Sequence, residues 1–190
     1  MSKTIFFGTQ NTELIEVSIA DTEVPDGVSI RLIAFGTDLP IISNLPMEVF
    51  VDTVNPAYGM VAEDCSDELT LVATRDGNAI GQISASFEVM GSSQTNLDLW
   101  VSGVFVADGE RKYGIATALG EAMTRAAENW RRHVAKTQGR NWLGEVGVSG
   151  DTNPGSGGEA VVNGMEGLAA ALSDEAYSDC PVLNTEAPSQ

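Results

Sequence analysis

Cysteine, histidine and basic residues are the scarce components of this sequence. The two cysteines, Cys65 and Cys180, stand far apart with no further ligand at metal-binding spacing. That excludes a disulfide framework and a cysteine-based metal centre, and two reduced thiols are expected. His133 is the sole histidine, too few for a histidine zinc site, so no metal is expected. Ten Lys and Arg residues face 27 Asp and Glu residues, for a formal charge of -17. Such a surface repels nucleic acid and anionic membranes, and neither is expected as a partner. No run approaches the ~18 consecutive apolar residues of a membrane span, and Met1 to Gly8 lacks the apolar core of a signal peptide. A cytoplasmic protein is expected.

What the chain does have is a globular balance. Its 190 residues, 43% hydrophobic and 19% charged, suit one buried core, and residues 1–190 are read as a single domain. Leu14 to Ile19 alternates and Val28 to Ile33 follows Pro25-Asp26-Gly27, which predicts a hairpin. Pro40, Pro46 and Pro56 interrupt the next stretch, leaving room for short helices such as one around Met47 to Val54. A second hairpin is predicted from Leu69–Thr74 and Ala79–Val89 around Asp76-Gly77-Asn78. Leu97 to Val106 reads as a strand with a bulge at Gly103.

At Ile115 the period changes. Ile115, Leu119, Ala122, Ala126, Trp130 and Val134 trace one helical face, and Gly139 supplies a stop. Trp142 to Val148 returns to strand character, Gly150 to Gly158 is a loop, and Glu159 to Leu172 predicts a last helix. The acidic residues 173–190 read as an irregular tail. Trp100, Trp130 and Trp142 read as packing residues, and Arg131-Arg132-His133 as a solvated helix end complementing the dipole. The order of elements predicts a mixed α/β fold (α+β), with a single central, mostly antiparallel sheet and flanking helices.

A glycine loop between a strand and a helix binds anions, because its backbone N–H groups and the helix dipole point at the ligand. Arg111-Lys112-Tyr113-Gly114-Ile115-Ala116 has that layout, with small residues at 114 and 116 for access. Seven of the ten basic residues lie between 111 and 140, a basic island suited to a phosphorylated ligand. Cations at a helix start oppose the dipole, so Arg111 and Lys112 point to an anion.

The stretch Val106 to Leu119 resembles the cofactor motif of the GNAT superfamily of N-acetyltransferases, Arg/Gln-x-x-Gly-x-Gly/Ala, with the expected strand before it and helix after it. The likeness is sharp over residues 97–130, topological over 69–96 and 140–172, and residues 1–68 are poorly matched. The resemblance implies the acyl-CoA N-acyltransferase fold and transfer of an acetyl group from acetyl-CoA to an amine of a small molecule or protein. It implies that backbone N–H groups of Lys112, Tyr113, Gly114, Ile115 and Ala116 bind the pyrophosphate with charge support from Arg111. The backbone at Phe105 and Val106 would pair with the pantetheine arm and polarise the thioester carbonyl.

Glu88 and Asp98, on neighbouring strands, are the candidates for taking the amine proton, directly or through water. Asn153 matches the asparagine of an Asn-x-x-Ala-x-x-x-Tyr pattern, but Ser156 and Ala160 stand where alanine and the acid tyrosine are expected. That departure supports an alternative: a catalytically inert GNAT-like module, a structural or interaction component of a homo-oligomer or of a larger assembly such as a virion.

Overall fold

The computed structural model describes residues 4–7, 15–33, 68–91, 95–140, 144–150, 152 and 157–178. The strands are β1 (Thr4–Phe7), β2 (Ile15–Ser18), β3 (Val28–Ile33), β4 (Glu68–Arg75), β5 (Asn78–Met90), β6 (Asn96–Val106) and β7 (Val146–Gly150). Helix α1 (Ile115–Thr137) joins β6 to β7, and helix α2 (Gly157–Ser178) follows β7. The expected helix around Met47 to Val54, and Trp142, lie outside the described residues.

Strands β3 to β7 form a five-stranded sheet in that order, and β1 and β2 form a separate two-stranded ribbon. Neighbours in the large sheet are antiparallel up to β6, and β7 runs parallel to β6. This is the mixed, mostly antiparallel sheet with flanking helices that the order of elements predicts. The β4–β5 hairpin turns at Asp76 and Gly77, with φ of 51° and 80°. Positive φ at both central residues gives the turn the twist that antiparallel strands require.

The expected first hairpin is not formed. β2 pairs with β1, and β3 pairs with β4. Two successive turns, Thr22 N–H to Ile19 O and Val28 N–H to Pro25 O, both 3.0 Å, occupy the link between β2 and β3. A link with two turns carries the chain across to another sheet instead of folding it back on itself.

Helix α1 covers one face of the sheet. Its buried stripe includes Ile115, Leu119, Ala122, Ala126 and Trp130, as the periodicity predicts, and Val134 is half-buried. Trp130 meets Phe7 of the ribbon and Phe87 of β5, at ring centroid distances of 6.3 Å and 5.7 Å. Phe7 stacks on Phe87 at 5.4 Å, so one aromatic cluster joins ribbon, sheet and helix. After Thr137 the chain leaves the helix through Gly139, whose φ of 64° is the left-handed value that ends many helices.

Two further readings are corrected. Arg131 is not solvated: its side chain is fully buried, with Nε and Nη2 each donating at 2.7 Å to the buried Glu128 and Nη1 donating at 3.1 Å to Thr95 O. Arg132 donates Nε to Glu128 at 2.6 Å and Nη2 to the carbonyl of Leu172 at 2.9 Å. The tail is not irregular from residue 173. α2 runs to Ser178 and Ser173 is buried, because that end of α2 is hydrogen-bonded to α1 through Arg132. The two helices approach closely at Gly120, where a Cβ would lie 2.9 Å from Val161 Cγ1 and 3.0 Å from Met165 Cγ.

Candidate cofactor loop and acceptor face

Strand β6 carries an irregularity where the sequence places one. Its register to β5 shifts between Ser84↔Gly103 and Ala85↔Val101, which leaves Ser102 as the extra residue of a bulge. Pairing with β7 ends at Val101↔Gly150. From Gly103 to Val106, β6 therefore keeps its β5 partners and, among the described residues, has no β7 partner. Phe105 and Val106, both half-buried, lie in this stretch.

The chain then passes through the single 3-10 turn Asp108–Glu110 into the loop. Lys112 and Gly114 have left-handed φ of 70° and 76°. Gly114 is the residue before α1, and a Cβ there would meet nothing within 4 Å. The left-handed backbone angle favours glycine at 114, and no protein atom occupies the space where its side chain would stand. The first backbone bond of the helix is donated by Ala118 to Gly114 O at 2.9 Å. The N–H groups of Ile115, Ala116 and Thr117 precede it and have no carbonyl of their own helix to bond. Ile115 is buried and anchors the helix start, Ala116 is half-buried, and Arg111, Lys112 and Tyr113 are exposed.

What holds this helix start against the sheet is a glycine that the sequence reading passed over. A Cβ on Gly81 of β5 would lie 3.0 Å from Ile115 Cγ2 and 3.1 Å from Phe105 O. The signal for it is a lone glycine inside a long strand, which marks a close approach.

The basic island divides. Arg111 forms an exposed pair with Asp108 at 2.9 Å and donates Nε to Val106 O at 3.1 Å, while Arg131 and Arg132 are committed to Glu128. Arg125, ten residues into α1, stands about 15 Å from its start, and Lys136 and Arg140 lie farther on. Arg111 and Lys112 alone of the seven are placed at the loop.

Glu88 and Asp98 do come together: they are directly opposed partners across β5 and β6, and both are exposed. They occupy the face turned away from α1, since Leu97, Leu99 and Val101 of the same strand are buried beneath the helix. Asp98 sits over β7, where a Cβ on its partner Gly147 would collide with its Oδ1. Trp100, two residues along on the same face, is 46% exposed and is not a packing residue. The alternation Leu97-Asp98-Leu99-Trp100-Val101 already assigns it to the polar face. Asn153 and Ser156 lie outside the described residues, and Ala160 is exposed in the first turn of α2.

No family model matches the chain, and no curated protein matches it. Among solved structures it is similar to a ribosomal-protein-alanine N-acetyltransferase from Brucella melitensis biovar Abortus 2308, with 19% identity, 70% of this chain and 87% of that one covered, and a TM-score of 0.45. It is also similar to an aminoglycoside acetyltransferase from an uncultured soil metagenomic sample, solved with sisomicin, with 12% identity, coverage of 87% and 95%, and a TM-score of 0.46. A further similar structure is an aminoglycoside N-acetyltransferase in complex with CoA, with 21% identity, coverage of 76% and 89%, and a TM-score of 0.39. At these values the likenesses are loose, and the site stands on its own geometry: a glycine loop at a helix start, next to the part of β6 that runs past its last β7 pair.

Proposed function

We propose that the protein is an N-acetyltransferase that moves the acetyl group of acetyl-CoA to an amine. The observation that carries this reading is that β6 runs on past its last β7 pair, Val101↔Gly150, into the loop that opens α1. An extended ligand arm laid along this stretch would pair with the β6 backbone groups that point away from β5 between Ser102 and Val106. Its anionic end would then meet the N–H groups of Lys112 to Ala116, with Arg111 and Lys112 supplying positive charge.

When bound, acetyl-CoA supplies the activated acyl carbonyl. The Val106 N–H, which by the alternation of the ladder points away from β5, would donate to the carbonyl oxygen beside Phe105 and stabilise the charge that develops on it. The amine must be neutral to attack. Glu88 and Asp98 lie four residues, about 13 Å of strand, before Ser102, so a chain of water molecules would carry its proton toward them. The missing tyrosine leaves the thiolate to depart unassisted or to take a proton from solvent.

Titration calorimetry with acetyl-CoA tests the cofactor site. Micromolar binding is expected for the wild-type protein and loss of binding for Ala116→Trp, which fills the approach to the loop, with circular dichroism verifying the fold. A folded protein that ignores millimolar acetyl-CoA would leave the inert structural or interaction module as the better account.

A further inference from the structure

Away from the cofactor loop, the segment after β2, the middle of α1 and the end of α2 enclose a polar cavity of about 160 Å³. We propose that this cavity binds a small zwitterionic α-amino acid. Its carboxylate is held by Arg125 and its ammonium by Asp21 and Glu175, all three of which line the cavity.

Glu121, Arg125 and Asn129 are spaced four residues apart and stand one above another on the same face of α1. The two outer residues clamp the chain that leaves β2: Asn129 Nδ2 donates to Ser18 O at 2.8 Å, and the Glu23 N–H donates to Glu121 Oε2 at 3.3 Å. Arg125, between them, has no such bond. Its Nε is buried without a hydrogen-bond partner among the described residues, and the clamped segment holds a second such atom, Thr22 Oγ1. A buried unpaired donor is costly, and a guanidinium only donates, so the missing partner of Arg125 is an acceptor. A planar carboxylate matches its fork.

Charge decides between an anion and a zwitterion. Arg132 and Glu128, which also line the cavity, already pair with each other at 2.6 Å. Arg125, Asp21 and Glu175 are left, and among the described residues none of them is in an ion pair. Opposite charges around one cavity, out of contact with each other, are bridged by a ligand that carries both. A simple carboxylate would meet two like charges, and a simple amine would leave the buried Nε unpaired. Asp21 and Glu175 are exposed, which sets the ammonium at the mouth, and Arg125 is half-buried, which sets the carboxylate inside. Size sets the limit: a cavity of ~150 Å³ admits benzene, about six non-hydrogen atoms, so alanine fits and an aromatic amino acid does not.

The test uses L-alanine as the probe, with propionate and ethylamine as its two halves and tryptophan as a zwitterion too large for the cavity. Binding to the full-length protein is followed by calorimetry and by thermal melts, without acetyl-CoA. Alanine is expected to bind and to raise the melting temperature, and each half to bind about tenfold more weakly or worse, since each forgoes a charged hydrogen bond. Arg125→Met keeps the alkyl packing and removes the guanidinium. It should weaken alanine about tenfold or more and leave the ligand-free melt unchanged or raised, because no hydrogen bond of the folded protein is lost. Should Arg125→Met melt early, Asp21→Asn, at an exposed position between β2 and β3, decides, with about threefold weaker alanine binding expected. Propionate or tryptophan binding as tightly as alanine would overturn the proposal, as would wild-type alanine affinity in the deciding variant. So would the absence of alanine binding at millimolar concentration, which would leave water as the occupant of the cavity. Arg125 stands about 15 Å along α1 from the cofactor loop, so the outcome bears on this site whatever acetyl-CoA does at the other.

Discussion

Glu128 is the residue on which most is tied. One buried carboxylate receives the guanidinium groups of Arg131 and Arg132, and those arginines reach Thr95 O ahead of β6 and Leu172 O on α2. Removing one member of a buried ion pair leaves the other charge without compensation. Glu128→Ala is therefore expected to cost about 3–5 kcal/mol, read as a fall in the urea midpoint, with Glu128→Gln recovering part through its remaining acceptor. Trp130→Ala is expected to cost a similar 3–5 kcal/mol by leaving a cavity against Phe7 and Phe87. At this scale the sequence was half legible. Trp130 announced itself by lying on the apolar stripe. Arg131, read as solvent-facing, sits one position beyond that stripe, and its burial became possible because Glu128 is placed i−3 on the same helix.

At the scale of elements, the position of α1 on the sheet decides whether the loop can meet a ligand laid along the end of β6. Gly81→Val would drive a side chain into Ile115 and the Phe105 carbonyl. The helix start should move away from β5, weakening acetyl-CoA binding and costing about 1–3 kcal/mol through overpacking. Calorimetry and a thermal melt report the two effects separately. Gly114→Ala makes a milder case, with only a left-handed backbone angle to accommodate, and about 1 kcal/mol of destabilisation is expected.

The β4–β5 hairpin, the bulge and α1 were readable because each rests on a local signal: a two-residue turn, a glycine in a strand, a period of 3.6. The partners of the first strands are not legible in the sequence because strand pairing is a non-local choice. Residues 14–33 show two alternating segments but do not say that β2 will find β1 and β3 will find β4. The end of α2 was missed for a related reason, since its last turns are held by Arg132 from another helix.

At the scale of the whole molecule, a charge of -17 acts in opposite directions on the two proposed substrates. Cationic acceptors are steered toward the surface, whereas the polyanionic cofactor is repelled until it is close to Arg111 and Lys112. Raising ionic strength screens both effects over a Debye length of ~10 Å at 0.1 M. Stopped-flow measurement should therefore show acceptor association slowing with added salt and acetyl-CoA association holding steady or quickening. A slowing of both would mean that the cofactor responds to the local basic residues and not to the global field. The sign of the net charge was evident from composition. That the loop keeps only two of the seven clustered cations follows from the length of α1, which carries the other five away, and from Glu128, which binds Arg131 and Arg132.

The ribbon at the start of the chain has a consequence in time. Ser18 O accepts a hydrogen bond from Asn129 Nδ2 at 2.8 Å, across 111 residues of sequence, and Phe7 is buried against Trp130 of the same helix. During synthesis at ~5–20 residues per second, the ribbon emerges roughly 5–20 s before the helix that covers it. For that interval Ile5, Phe7 and Val17 have no native partner on α1. The nascent chain is then a natural client for chaperones that hold apolar segments, and its yield in cells should depend on elongation rate more than the stability of the finished fold would suggest.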